Sequence, residues 1–306
     1  MKRFLRKLLL FGVLFFLLDK LLIPLRDRSP APEMEADRRL EYLFTGRLRA
    51  DLLVTGSSRG ARSVIAQMLA DSLGMPAYNL AYPGSGLSFH VYVLEQSLRH
   101  LNPKPHTVVL VIDDPMELFH DPYLAFRTDR LYPLVKYAPA REGLVRAGEK
   151  NAVLSRLLVS HQLTRQYLFP RRIPFTTMDT LLPCGSMPIH RQDPKWNRQY
   201  GSVEPPYDPA RELEPKRRDL ERFVELCRQH NVRLVLAIPP NFNPPTPGFA
   251  ARMQTLVGAH ATVFHYDTHR RQYRDPAFFY DQGHVNAAGA RLFTEELAGH
   301  LKTILF

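Results

Sequence analysis

The stretch FFYDQGHVNAAGARLF, residues 278–293, places Asp281 and His284 three positions apart, directly ahead of a run of helical character that Asn286 can cap. At that spacing on a turn, the carboxylate can reach back to Nδ1 of the imidazole and leave Nε2 free to take a proton. Such a pair needs a nucleophile to act on. A serine hydroxyl is a weak nucleophile until a base removes its proton, and an imidazole held by a carboxylate does this near neutral pH. Ser58, in TGSSRG after the first apolar run, is the candidate. It opens a helical stretch, whose free N–H groups and dipole favour an oxyanion, and the glycine turn YPGSG offers a second donor in Gly84, with Gly86 close behind. The plainer readings are that Ser58 and Asn286 only cap helices and that loops are polar.

The elements that must position these residues follow from periodicity. DLLVTG (51–56) and TVVLVID (107–113) are short apolar runs of strand type, as are VRLVLAIPP and TVFHYD further on. Helical spacing marks GARSVIAQMLADSLG as one helix through Val64, Ile65, Met68, Leu69 and Leu73. Further helices are expected from about Leu87 to Leu101, Arg211 to His230, Gly248 to Ala259 and after Asn286. The alternation predicts an α/β fold: a three-layer, doubly wound, mostly parallel sheet covered on both faces. It fails from about Glu117 to Pro215, a proline-, aromatic- and arginine-rich region read as an insertion or cap, partly helical around 141–168. In open sheets of this kind the ligand crevice lies at the carboxyl ends of the strands. TGSSRG, YPGSG and DDPME stand at such ends and DQGH just ahead of the last helix, while Pro239, Pro240 and Asn241, after the fourth strand, could line the crevice. Asn241 and Arg59 are therefore candidate substrate contacts, the first with a turn and the second with a surface charge as its plainer role.

The N-terminus, MKRFLRKLLLFGVLFFLLDKLLIPLRDR, carries four cations ahead of the apolar run Leu8–Leu18. As one helix, residues 4–25 would reach about 33 Å, enough to cross a bilayer. No small-residue cleavage site follows, so an uncleaved anchor is expected over 1–28, the alternative being a basic amphipathic helix lying on the membrane surface, with a linker or peripheral helix at 29–49 and the folded domain at 50–306. The cationic flank keeps the N-terminus cytoplasmic and places the bulk of the chain outside the cytoplasmic membrane, in the periplasm. Over 306 residues the net charge is +11, but there is no zinc-finger spacing and no block of basic residues, so nucleic acid is not the expected partner. The two cysteines, Cys184 and Cys227, permit a disulfide without arguing for one.

TGSSR, a glycine turn after the second strand, and D-x-x-H just before the terminal helix together resemble the SGNH (GDSL-type) hydrolase family over roughly 50–115 and 230–306. YDQGHVNAAGARLF is similar in particular to the membrane-anchored branch that contains the D-alanine transfer proteins of teichoic acid and the alginate and peptidoglycan O-acetylation proteins. The resemblance implies Ser58 as nucleophile, Asp281 and His284 as its partners, Gly84 as the family's glycine donor, and no cofactor. It also implies an acyltransferase or esterase acting on acyl groups of a cell-surface polysaccharide, beside a membrane-embedded acyltransferase. Where the family has an asparagine donor, this chain has Asp113 and Asp114, and a carboxylate there would repel an oxyanion. The alternative is therefore a catalytically inactive scaffold or glycan-binding subunit of an envelope assembly.

Gly56-Ser57-Ser58-Arg59-Gly60 also spells the G-x-S-x-G elbow of α/β-hydrolases. Those enzymes place strands ahead of the elbow and keep their acid far from the histidine, unlike the arrangement here. His265 and His269 flank Asp267, but a strand-end histidine is more often satisfied by backbone than by a metal, and no metal site is expected. Phe279 and Tyr280 are expected to pack in the core.

Overall fold

The structure is a computed structural model that describes residues 1–28, 38–169, 180–196, 200–201 and 205–306. Five strands, β1 (Leu52–Gly56), β2 (Ala77–Asn79), β3 (Thr107–Val111), β4 (Arg233–Ile238) and β5 (Ala261–His265), form one sheet of order β2-β1-β3-β4-β5. Every pairing is parallel. β1 and β3 are buried along their whole length, which is why they read as unbroken apolar runs rather than alternating ones. The half-exposed β5 and the three-residue β2 form the edges, where a short or partly polar strand limits unwanted pairing.

Alternate residues face opposite layers. Leu52, Val54, Val109, Val111, Val235 and Ala237 point to the side covered by Leu69 and Leu73 and by Phe293, Leu297 and Leu301 of the terminal helix Ala287–Leu305. The helices Leu87–His100 and Glu214–Gln229 pack on each other and on β1 and β4. The doubly wound parallel sheet expected from the alternation is thus the architecture found.

One expected helix is two. GARSVIAQMLADSLG runs as Ser58–Ser63 and Ala66–Leu73, with Val64 extended between them. The break is held from outside the segment: the Ile65 N–H donates to Thr294 Oγ1 and the Ala66 N–H to Ser186 Oγ. These side chains replace the intrahelical partners, so the apolar periodicity survives the interruption and conceals it.

The chain divides into two compact units, Met1–Glu41 with Arg127–Pro174, and Tyr42–Phe126 with Phe175–Phe306. The region expected as one insertion, 117–215, is therefore shared: its flanks belong to the unit that holds the sheet, its middle to the unit that holds the N-terminus. Residues 29–37 of the expected linker lie outside the described residues, and 39–44 form a helix in which Leu43 is fully buried. In the first unit, Lys2–Lys20 is one helix, and the stretch from Lys2 to Asp27 is long and apolar enough to cross a membrane. Four short helices, Ala138–Arg146, Ala152–Leu157, Val159–Gln162 and Arg165–Leu168, realise the helical character expected around 141–168.

Candidate active site

Strand β1 ends in Gly56, whose φ of +147° and whose place 2.6 Å from the Val111 carbonyl, measured from a Cβ built on it, leave no room for a side chain. The chain turns there and enters the helix Ser58–Ser63. Ser57 is the N-cap: its Oγ accepts the Arg59 N–H at 3.2 Å. Two consecutive serines thus take separate tasks. Because Ser57 does the capping that could have absorbed Ser58, the Ser58 hydroxyl is left for another partner.

That partner is His284, whose Nε2 lies 2.8 Å from Ser58 Oγ although 226 residues separate them. On the other side of the ring, Nδ1 lies 2.9 and 3.0 Å from the two oxygens of Asp281. A carboxylate accepts only, so it selects the tautomer with the proton on Nδ1 and leaves Nε2 as acceptor toward the hydroxyl. Burial pushes the Asp281 carboxyl up, but the His284 hydrogen bond and charge and the Gly283 N–H outweigh it and hold it below its ordinary value. The carboxyl is ionised at neutral pH.

The loop carrying the pair is fixed at several points. Phe279 bridges Val285, closing the segment between them, and the Tyr280 N–H donates to the His284 carbonyl at 2.8 Å. The Phe242 N–H donates to the Gln282 carbonyl and Gln282 Nε2 to Asn243 Oδ1, tying the loop to the one that follows β4. Beneath it Phe242 packs edge-on to Trp196, at 4.8 Å, and to Phe279, at 5.1 Å. Asn286 then caps the terminal helix through the N–H groups of Ala288 and Gly289. Phe279 is fully buried and Tyr280 nearly so.

The glycine donors divide. Tyr82–Ser85 is a tight turn closed by the Ser85 N–H on the Tyr82 carbonyl, with Pro83 and Gly84 (φ +74°) at its centre, the arrangement that demands glycine in the third place. The Gly84 N–H has no hydrogen-bond acceptor among the described residues. The Gly86 N–H, expected as an alternative donor, is already committed to the Ala125 carbonyl at 3.0 Å. That strand-like pairing takes Gly86 out of the set of free donors.

Arg59 is not a surface charge. It is buried, donates to the Pro239 carbonyl, and holds Nε 3.8 Å from Asp113 Oδ1. Asp114 Oδ2 accepts the Thr246 N–H at 3.0 Å, and its carbonyl accepts Asn241 Nδ2 at 3.3 Å. Asn241, expected as a substrate contact, joins the ends of β3 and β4 through this bond. Beneath them Glu117 is wholly buried, accepts the Asp113 N–H, and has its carboxyl pushed up to about 8 by loss of solvation and by the neighbouring Asp113 charge. His265 is held by the Tyr266 carbonyl at 2.9 Å, and Asp267 accepts the His269 N–H. Cys184 and Cys227 are separately buried and free.

Asn79, at the end of β2, escaped the sequence reading. Its Nδ2 donates to the carbonyls of Gly60 and Val64, both at 2.9 Å, and its Oδ1 accepts the Ala81 N–H. It takes up the open carbonyls at the end of the helix that carries Ser58. A polar side chain closing the short run AYN just ahead of the glycine turn is the signal that could have found it.

Strand order and site together define an α/β protein with a hydroxyl, an imidazole and a carboxylate in line at the carboxyl end of β1, where the order of a doubly wound sheet reverses. No protein-family model and no curated protein matches the chain. Among solved structures it is similar to the psychrotrophic esterase EstA from Pseudoalteromonas sp., inhibited by monoethylphosphonate, at 12% identity and a TM-score of 0.39 over 83% of this chain and 97% of that one. It is also similar to a putative acylhydrolase from Bacteroides fragilis, at 10% identity and a TM-score of 0.39 over 89% and 98%.

Proposed function

We propose that the chain is a membrane-anchored, extracytoplasmic serine acyltransferase or esterase acting on acyl groups, acetyl foremost, of a cell-surface polysaccharide. The observation that carries it is the line from Ser58 Oγ through the His284 ring to Asp281, 2.8 Å on one side and 2.9 Å on the other. In the proposed cycle His284 Nε2 takes the Ser58 proton as Oγ bonds to the acyl carbon. The tetrahedral oxyanion is met by the N–H groups of Ser58 and Gly84. Collapse breaks the bond to the leaving alcohol, which receives the proton from Nε2 and departs, leaving an acyl-serine. A sugar hydroxyl or water, deprotonated by the same imidazole, attacks the acyl-serine, and the returning proton restores Ser58. A charged Asp281 stabilises the imidazolium through both transfers.

Acetyl and polysaccharide, like a membrane-embedded acyltransferase partner, come from the resemblance of TGSSR and YDQGHVNAAGARLF to the anchored SGNH branch. The apolar helix Lys2–Lys20 supports the anchored part of the reading. A fluorophosphonate probe tests the chemistry: the wild-type chain is expected to label and Ser58→Ala to stay blank. Equal labelling of both would exclude Ser58 as nucleophile. A wild-type chain that stays blank while retaining membrane partners would favour the second reading, an inactive scaffold, which the carboxylates of Asp113 and Asp114 at the end of β3 motivate.

A further inference from the structure

The helix Lys2–Lys20 is exposed along nearly its whole length except at Asp19, which is buried. At 1.5 Å per residue it is about 28 Å long, close to the hydrocarbon thickness of a bilayer. With Lys2 and Arg3 at one interface, Asp19 and Lys20 stand at the other. Their side chains are engaged there. Asp19 accepts the Val159 N–H at 2.6 Å and the Ser160 N–H at 2.8 Å, capping the short helix Val159–Gln162, and Lys20 donates to the Leu157 carbonyl. Six residues on, Arg26 donates to Gln162 Oε1 at 2.9 Å, and Gln162 Nε2 in turn donates to the Ser155 carbonyl. The outer end of the apolar helix is thereby tied to the helices at 152–162.

The helix Ala152–Leu157, capped by Asn151, shows solvent three large aliphatic side chains: Val153 is 62% exposed, Leu154 42% and Leu157 52%. At 100° per residue these three span an arc of about 100°, while the buried Ser155 points the opposite way. Arg156 borders the arc, and residues 127–169 carry eight arginines and lysines against three acidic residues. An outward apolar arc with a cationic border matches the side of an interfacial helix that faces lipid. The Lys20 contact at Leu157 places the arc within one side chain of the point where the apolar helix ends.

We propose that Val153, Leu154 and Leu157 insert into the outer interface of the bilayer that Lys2–Lys20 spans, so that the chain meets lipid through a second, surface-lying helix as well as its anchor. This rests on the spanning reading of Lys2–Lys20 and is independent of the chemistry at Ser58. The occupant of the arc is a lipid surface containing anionic headgroups. The cation–π contact of Lys20 over Phe16, at 4.2 Å, fits an interfacial level for that end of the helix.

The test uses the full chain in nanodiscs of phosphatidylglycerol and phosphatidylethanolamine, with an environment-sensitive NBD dye attached at Leu154→Cys. The native thiols are buried and are replaced by alanine in the same background. Blue-shifted emission, with loss of signal to quenchers carried high on the acyl chains, is expected at 154. The same dye on free cysteine in buffer serves as the aqueous reference. Emission at 154 as red and as unquenched as an aqueous dye would overturn the insertion, and would leave a protein partner to cover the arc. An alkaline carbonate wash of membranes separates the two readings. If the chain washes off, the anchor fails and the insertion with it; if it stays while the dye at 154 reports water, only the insertion fails.

Discussion

The guanidinium of Arg59 and the carboxylate of Asp113 face each other 3.8 Å apart, both nearly buried, one residue after the Ser58 hydroxyl and two residues after β3. Asp113 therefore does not stand as an isolated negative charge at the strand end. Removing the cation would leave a buried carboxylate unpaired and free the Pro239 carbonyl. Arg59→Ala is expected to destabilise the fold by about 3 kcal/mol, read as the shift of a denaturant midpoint. Arg59→Ala with Asp113→Asn should recover part of that loss. If the double variant is no more stable than the single one, the two groups are not coupled.

For the hydroxyl, imidazole and carboxylate, the expected order of effects follows from their roles. His284→Ala should reduce fluorophosphonate labelling about as far as Ser58→Ala, because the hydroxyl loses its proton acceptor. Asp281→Asn keeps the shape of the loop but presents a donor to Nδ1 and favours the wrong tautomer, lowering the labelling rate by about four orders of magnitude. A labelling rate for Asp281→Asn within tenfold of wild type would show that Asp281 does not orient the ring.

Asn79 acts on the same site from below. Asn79→Leu keeps the number and branching of heavy atoms but leaves the Gly60 and Val64 carbonyls and the Ala81 N–H without their partner, at a cost of about 2–3 kcal/mol. Since Gly60 lies in the helix Ser58–Ser63, labelling should slow as well as stability fall. Stability loss with an unchanged labelling rate would confine Asn79 to packing.

Glu117 makes the pH prediction. Its carboxyl keeps its proton in the folded chain up to about 8, whereas the ordinary value is 4.5. Between those limits the folded state binds more protons than the unfolded one, so this group lowers stability as pH rises. Glu117→Gln, which can still accept the Asp113 N–H, should match wild type near pH 4.5 and exceed it by a growing margin toward pH 8. A margin in the thermal midpoint that stays flat over that range would contradict the buried, proton-retaining state. Asp281 has the opposite sign: its carboxyl is held below 3.8, so its contribution is present above that value and fades as pH falls further.

How much of this was legible in the residue string is decided by range. The runs LLVTG and TVVLV are strands buried on both faces, and an unbroken apolar run states as much locally. Asn286 ahead of a helical run is a cap wherever the helix docks, and the three-residue spacing of Asp281 and His284 allows their contact within one turn. The apolar helix near the N-terminus is likewise a matter of composition. These features are set by neighbours along the chain, and periodicity and residue type report on neighbours.

Only the tertiary structure decided the rest. Of two adjacent serines, one caps and the other meets an imidazole from the far end of the chain. Gly86 spends its N–H on Ala125, and Arg59 turns inward to Asp113. Thr294 and Ser186 split a helix that its own periodicity describes as continuous. Asp19, directly after the apolar run Leu8–Leu18, is the cap of a helix 140 residues later. In each case the partner of a polar group is chosen by how the strands and helices stack, because a buried donor or acceptor must be satisfied by whatever the packing brings within about 3 Å. That choice has no trace in the local pattern of either residue.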